Sequence, residues 1–264
     1  YQDKNGYLWI SSYDGLTRFD GSEFITYTKS NGLPSSQIQG LIGDSNGNLW
    51  IGTGAGLMQY SHGKFINMVG EHDLFIQTIS INEQNHQMLI GTRGQGLYTF
   101  DYQTNQYKKI ESPYTIDIIR TILQDRQGNT WVGSEKVGLS YYSKGMWKTY
   151  TTEEGLTNHE INCIYLDENE QLYVGTNAGM YLAQDGKFIS SPKFSEKIVN
   201  GIDKDSTGNL WVLTNTGIYR QSSSDGCWEE LSKDDGLSNN DIQNILFDSE
   251  GSIQIEAFKT FFEL

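Results

Sequence analysis

The chain has 264 residues, 36% of them hydrophobic and 12% aromatic, enough for a substantial core and unlike a disordered acidic tail. Thirty-three acidic against 19 basic residues leave a formal charge of −14, which repels nucleic-acid phosphates and anionic lipid surfaces and argues against both as partners. No apolar run approaches the roughly 20 residues that span a bilayer, and two cysteines with four scattered histidines show neither CxxC nor HExxH spacing, so no metal or cofactor is expected.

The chain opens at Tyr1 inside a repeat unit, which predicts a segment of a longer protein. The turn DKNGY (3 to 7) leads into LWI (8 to 10), and the next copy can be read as a whole unit. IQGLIGD (38 to 44), NLWIGT (48 to 53), GLMQY (56 to 60) and KFINMV (64 to 69) predict four short antiparallel strands separated by turns. The aromatic slot of LWI returns at intervals near 40 residues, as Trp9, Trp50, Leu89, Trp131, Tyr173 and Trp211, with Gln254 in a seventh, degraded copy. That period with four strands per unit predicts an all-β fold, a β-propeller of four-stranded antiparallel blades. Residues 1 to 264 are expected to form one propeller domain of about six blades, with 252 to 264 a degraded or truncated seventh repeat. Two closures stay open: a section of a seven-bladed ring, or a six-bladed ring in which IQNILFD (242 to 248) supplies the inner strand missing from the first unit.

The turn DSNGN (44 to 48) recurs as DRQGN (125 to 129), DSTGN (205 to 209) and DSEGS (248 to 252). Asp bonds its own backbone two residues on and Gly takes positive φ, as a short hairpin requires. A calcium loop would be longer and end in a bidentate Glu. The Asp box of sialidases has one residue between Asp and Gly where these copies have two, and five arginines in the chain make an arginine triad hard to assemble.

Aligned, the inner strands carry a small residue at their third position: Gly40, Thr78, Thr121, Cys163, Gly201 and Asn244. Small residues suit the convergence of sheets on an axis, so Cys163 is expected to pack there, with Cys227 at the rim and too distant for a disulfide. The second position is polar throughout: Gln39, Gln77, Arg120, Asn162, Asn200 and Gln243. This predicts a ring near the central channel that satisfies backbone groups and water, or else binds ligand.

The combination DxxGNLWIGT, then GL, then FxxYTxxxGLPSSQIQ resembles the two-component regulator propeller repeat. GSEFITYTKSNGLPSSQIQ (21 to 39), GMWKTYTTEEGLTNHEIN (145 to 162) and CWEELSKDDGLSNNDIQ (227 to 243) carry its second half. The resemblance spans nearly the whole chain and implies a periplasmic sensor region of a membrane-anchored bacterial receptor, typically a hybrid histidine kinase, sometimes a diguanylate cyclase. It implies an oligosaccharide or other polar small-molecule ligand, and a homodimer formed through the parent receptor. The departure lies at SIQIEAFKTFFEL (252 to 264), which loses the Trp and the GT.

Repeated residues are explained by folding, so ligand contacts are expected where copies disagree. The turn between the second and third strands reads YDG (13 to 15), GAG (54 to 56), RGQG (93 to 96), EKVG (135 to 138), NAG (177 to 179) and NTG (215 to 217). Propeller geometry would set Tyr13, Arg93, Gln95, Glu135, Lys136, Asn177 and Asn215 around one opening, suited to a polar or anionic ligand. For a lyase or hydrolase the nearest base is His159 beside Glu160, and adjacent residues on an extended segment point apart, so no catalytic residue is expected. A docking scaffold is the other alternative, with Trp147, Trp228, Phe24 and Phe65 on outer strands.

Overall fold

The computed structural model describes residues 1–12, 14–68, 74–116, 118–249, 252–257 and 260–263. The chain divides into two compact units, Tyr1–Gln124 and Asp125–Leu264. In the first, β1 (Leu8–Ser11), β2 (Leu16–Phe19) and β3 (Phe24–Tyr27) form a three-stranded sheet. Two four-stranded sheets follow: β4 (Ile38–Gly43), β5 (Leu49–Thr53), β6 (Gly56–Ser61) and β7 (Lys64–Met68), then β8 (Ile76–Asn82), β9 (Gln87–Thr92), β10 (Leu97–Asp101) and β11 (Gln106–Ile110). β12 (Ile119–Gln124) ends this unit beside β8.

The second unit begins with β13 (Thr130–Ser134), β14 (Leu139–Ser143) and β15 (Met146–Tyr150). Two four-stranded sheets come next: β16 (Ile161–Leu166), β17 (Leu172–Thr176), β18 (Gly179–Gln184) and β19 (Lys187–Ser190), then β20 (Val199–Lys204), β21 (Leu210–Thr214), β22 (Gly217–Gln221) and β23 (Trp228–Leu231). A three-stranded sheet of β24 (Ile242–Phe247), β25 (Ile253–Ala257) and β26 (Thr260–Glu263) completes it. All pairings are antiparallel between chain neighbours, and the six expected inner strands are β4, β8, β12, β16, β20 and β24. These are the blades of a β-propeller, stacked through their inner strands, β4 on β8 in the first unit and β16 on β20 in the second.

The aromatic slot fills the space between consecutive sheets. Trp50, 2% exposed, packs with Leu74, Ile76, Ile79 and Phe100 of the following sheet, and Trp211 packs with Ile242, Ile245 and Ile255. The glycine of the IGT motif serves this stacking rather than a turn. A Cβ on Gly52 would stand 2.6 Å from Ile76 Cγ2, so the next sheet can approach only because that atom is missing. The turn glycine is Gly47, at φ 84°.

Each repeated Asp does more than shape its turn. Asp44 Oδ1 accepts from the amides of Asn46 and Asn48 at 3.0 and 2.9 Å, while Oδ2 accepts from Asn48 Nδ2 at 2.8 Å and Trp50 Nε1 at 3.0 Å. Turn and packing aromatic are thus one hydrogen-bonded unit, repeated at Asp3–Trp9 and Asp205–Trp211, both 2.8 Å. The degraded copy keeps the logic: Gln254, buried in the slot, donates to Asp248 at 3.4 Å.

The YTxxxGL element is a capped 3-10 turn. Thr28, Thr151 and Ser232 each accept from a backbone amide two residues on in reciprocal capping boxes, closed by Gly32, Gly155 and Gly236 at positive φ. Leu33, Leu156 and Leu237 after those glycines are buried anchors. Residues 242 to 247 pair with β25 in their own sheet, and beside β1 the Tyr1 amine donates to the Trp9 carbonyl at 3.0 Å. Cys163 packs against Gly175, and burial pushes its thiol up to about 12, as suits a packing residue; Cys227 is exposed and both thiols are free.

Candidate functional site

The polar second position of the inner strands falls on a β-bulge. Pairing of β4 with β5 jumps from Ile38–Thr53 to Gly40–Gly52, leaving Gln39 outside the ladder, and the same shift strands Gln77, Asn162, Asn200 and Gln243. A bulge re-aims its residue, here toward the neighbouring inner strand. Gln77 Nε2 donates to Gln39 Oε1 at 3.2 Å in the first unit. In the second, Asn162 Nδ2 donates to the Val199 carbonyl at 3.1 Å, and Asn200 Nδ2 to the Ile242 carbonyl at 2.7 Å and Asp241 Oδ1 at 3.3 Å. Gln243 Nε2 reaches the same Asp241 oxygen at 2.7 Å. Arg120 occupies the equivalent position of β12, half-buried. Asn162 and Asn200 thus tie their strands to backbone carbonyls of the following inner strand, while Gln77 and Gln243 bond other side chains.

The variable turns follow a second pattern. Their shape is set by the preceding Thr or Ser: Thr53, Thr92, Thr176 and Thr214 donate to the glycine carbonyl and accept from a turn amide. Several turn side chains then clamp the connection that enters the inner strand of their own sheet. Gln95 Oε1 accepts from the Phe75 amide at 3.0 Å, with the Arg93 guanidinium 5.6 Å from the Phe75 ring centre. Asn215 Oδ1 accepts from the Ile198 amide at 3.1 Å. Asn177 links Glu160 to Asn162, accepting from Asn162 Nδ2 at 2.8 Å and donating to the Glu160 carboxylate. Glu135 is half-buried and Lys136 exposed on the turn from β13 to β14. Tyr13 lies outside the described residues.

One turn opens onto a cleft of about 290 Å³ in the first unit. Its walls are Gly94–Leu97 on one side and Lys109–Ile116, the tail of β11 and its connection toward β12, on the other. Gln95, Lys109, Glu111, Ser112 and Tyr114 give it donors, acceptors and both charges. Sequence reading found Gln95 and missed the rest, because it compared turns and not the connections facing them. The signal was available: ESPYTIDI (111 to 118) replaces the capped YTxxxGL element of other copies.

Glu160 is engaged by Asn177, while the His159 ring lies 3.4 Å from where a Gly138 Cβ would stand. His62 and His86 sit in other connections, at φ 49° and 54°. Among the described residues no three His, Cys, Asp or Glu side chains are grouped to hold a metal. Nor is any helix there long and apolar enough to cross a membrane.

Three stretches, 32–55, 114–136 and 155–178, match the family model for the two component regulator propeller. No curated protein matches the chain in sequence. Among solved structures, the extracellular domain of a protein described as a hybrid two component system from B. thetaiotaomicron is similar at 23% identity and a TM-score of 0.82, over 97% of this chain and 38% of that one. PorZ, a surface component of the type-IX secretion system of Porphyromonas gingivalis, gives 17% and 0.74 over 98% of this chain and 44% of its own. Virginiamycin B lyase from Staphylococcus aureus gives 13% and 0.76 over 97% and 89%. At these identities the likeness is one of fold, and the chain spans well under half the length of the first two.

Proposed function

We propose that this chain, which carries two component regulator propeller repeats, is a non-catalytic sensor module of a bacterial receptor, periplasmic, recognising a carbohydrate or other polar small molecule. The observation that carries the reading is the cleft beside Gln95. It lies where the copies diverge, and its amide, hydroxyl, ammonium and carboxylate groups suit a hydroxyl-rich ligand. Binding there would bridge the turn at Gln95 and the segment after β11 and so alter how the chain meets the rest of its receptor. Isothermal calorimetry against a panel of glycan oligomers tests this. Saturable binding, weakened about tenfold by Lys109→Ala, supports it; turnover of any oligomer overturns the non-catalytic reading.

A second reading, a docking scaffold, is favoured by apolar side chains on outer strands: Phe24 is 62% exposed and Met146 71%. Phe24 itself stacks on Phe19 at 4.3 Å, and three further outer-strand aromatics pack against rings. Phe65 meets Tyr27 edge-on with ring centres 4.9 Å apart, Trp228 meets Phe194 at 5.1 Å, and Trp147 leans on Tyr142 at 4.9 Å. Dimerisation in sedimentation without glycan binding would establish the scaffold instead.

A further inference from the structure

The connection from β19 to β20 departs from its counterparts. Where other copies read GLPSSQI (32 to 38), GLTNHEI (155 to 161) and GLSNNDI (236 to 242), residues 193 to 199 read KFSEKIV. Phe194 takes the place of the buried leucine with no exposure, so the anchor is retained. The glycine becomes Lys193, and the position of Ser36, His159 and Asn240 becomes Lys197.

Both lysines return to one aromatic platform. Lys193 Nζ is 5.2 Å from the ring centre of Tyr219 and 5.8 Å from that of Trp228, and Lys197 Nζ is 5.3 Å from Tyr219. Lys197 Nζ also donates to Thr216 Oγ1 at 3.1 Å, on the variable turn beside Asn215. Glu230 accepts from the Tyr219 hydroxyl at 2.6 Å. The described ion pairs, Lys204–Asp167 and Arg220–Glu229, include neither lysine.

Between the lysines, Glu196 has φ 65°. The other described non-glycine residues at positive φ, His62, His86, Asn105, Lys144, Glu170 and Asp185, lie in connections between paired strands of one sheet, whereas Glu196 lies between sheets. Backbone strain outside a hairpin persists where its surroundings demand it. Each ammonium is held near the Tyr219 ring by cation–π attraction, so two positive charges share one aromatic side chain. In a chain with a formal charge of −14, two cations at one ring with no carboxylate in ion-pair contact among the described residues leave a place for an external anion.

We propose that Lys193, Lys197 and Thr216 form a binding site for the anionic group, carboxylate or sulfate, of a small ligand. Trp228 and Tyr219 supply the floor, and the lysines supply charge-assisted hydrogen bonds. The inference rests on the reading of the chain as a ligand-binding module, and it adds a second site with a preference for negative charge.

The test is amide NMR of the 264-residue chain, titrated in parallel with glucuronate, its neutral counterpart glucose, and inorganic sulfate. Glucuronate is expected to move the Lys197 and Thr216 amides where glucose does not, with sulfate competing. Combining Lys193→Gln and Lys197→Gln should weaken glucuronate by about tenfold or more, while Lys197→Arg stays within about threefold. Equal responses to glucuronate and glucose, no response at these amides, or unchanged affinity in the double variant overturns the proposal. Neutral oligomers moving the Gln95 and Tyr114 amides in the same chain would show that the sensor reading stands although this site fails.

Discussion

Two neighbouring turns in the second unit solve the same problem with different residues. In DSTGN, Asp205 is held by Thr207 and Asn209, and its remaining oxygen takes the indole of Trp211 at 2.8 Å. In DENEQ, Asp167 accepts from the amides of Asn169 and Gln171, but its aromatic slot holds Tyr173, and the missing donor comes from Lys204 of the next inner strand at 2.9 Å. Burial alone would raise both pKa values. Hydrogen bonds from Thr207, Trp211 and Asn209 outweigh it for Asp205, and those from Lys204, Gln171 and Asn169 for Asp167, so both carboxyls lie below their ordinary value. The repeat therefore fixes a carboxylate that must be fully satisfied, and leaves open which residue completes it.

The comparison can be broken most severely at the tryptophan. Trp211→Ala removes both the filler between sheets and the donor, and is expected to cost about 3–5 kcal/mol in urea denaturation. Asp205→Ala leaves the indole and the turn amides without their acceptor, at an expected cost of about 2–3 kcal/mol. Lys204→Met should cost about 1–2 kcal/mol by taking one charged donor from a buried carboxylate. Adding Tyr173→Trp to Lys204→Met sharpens the comparison, because an indole at 173 would restore the donor that Trp211 provides; stability should partly recover in the double variant.

Acid titration separates the two turns further. A carboxyl whose folded pKa is depressed contributes stability that is fully present above its unfolded value near 3.9 and is lost as pH falls through the folded value. Stability should decline below about pH 4 in the wild type, and Asp205→Asn should flatten that decline, read from midpoints of urea curves across the acid range. The smallest effect belongs to the variable turns: Lys136→Ala is expected to stay within about 0.5 kcal/mol of wild type.

Much of the blade was legible because it is written several times. Period, turn glycines and slot aromatics recur in sequence, and the strands of the second copy were read to within a residue or so. The bulge was not legible, since a polar residue after Ile looks the same whether it faces a channel or leaves the ladder, and only the jump from Ile38–Thr53 to Gly40–Gly52 distinguishes them. Lys204 as partner of Asp167 was equally hidden, because the contact joins different copies at a spacing that the other described ion pair, Arg220–Glu229, does not use. At the candidate site, sequence divergence singled out Gln95. It did not reveal that Lys109, Glu111 and Tyr114 face the same cleft, a pairing set by the path of the connection after β11.

Repeated positions build the blade, and divergent positions are proposed to meet the ligand. Titrating the chain with glycan oligomers while recording amide and indole signals together tests this division most directly. Shifts are expected at Gln95, Glu111 and Tyr114, with the indole N–H signals of Trp50 and Trp211 unmoved. Shifts centred on those indoles, with the cleft silent, would contradict it.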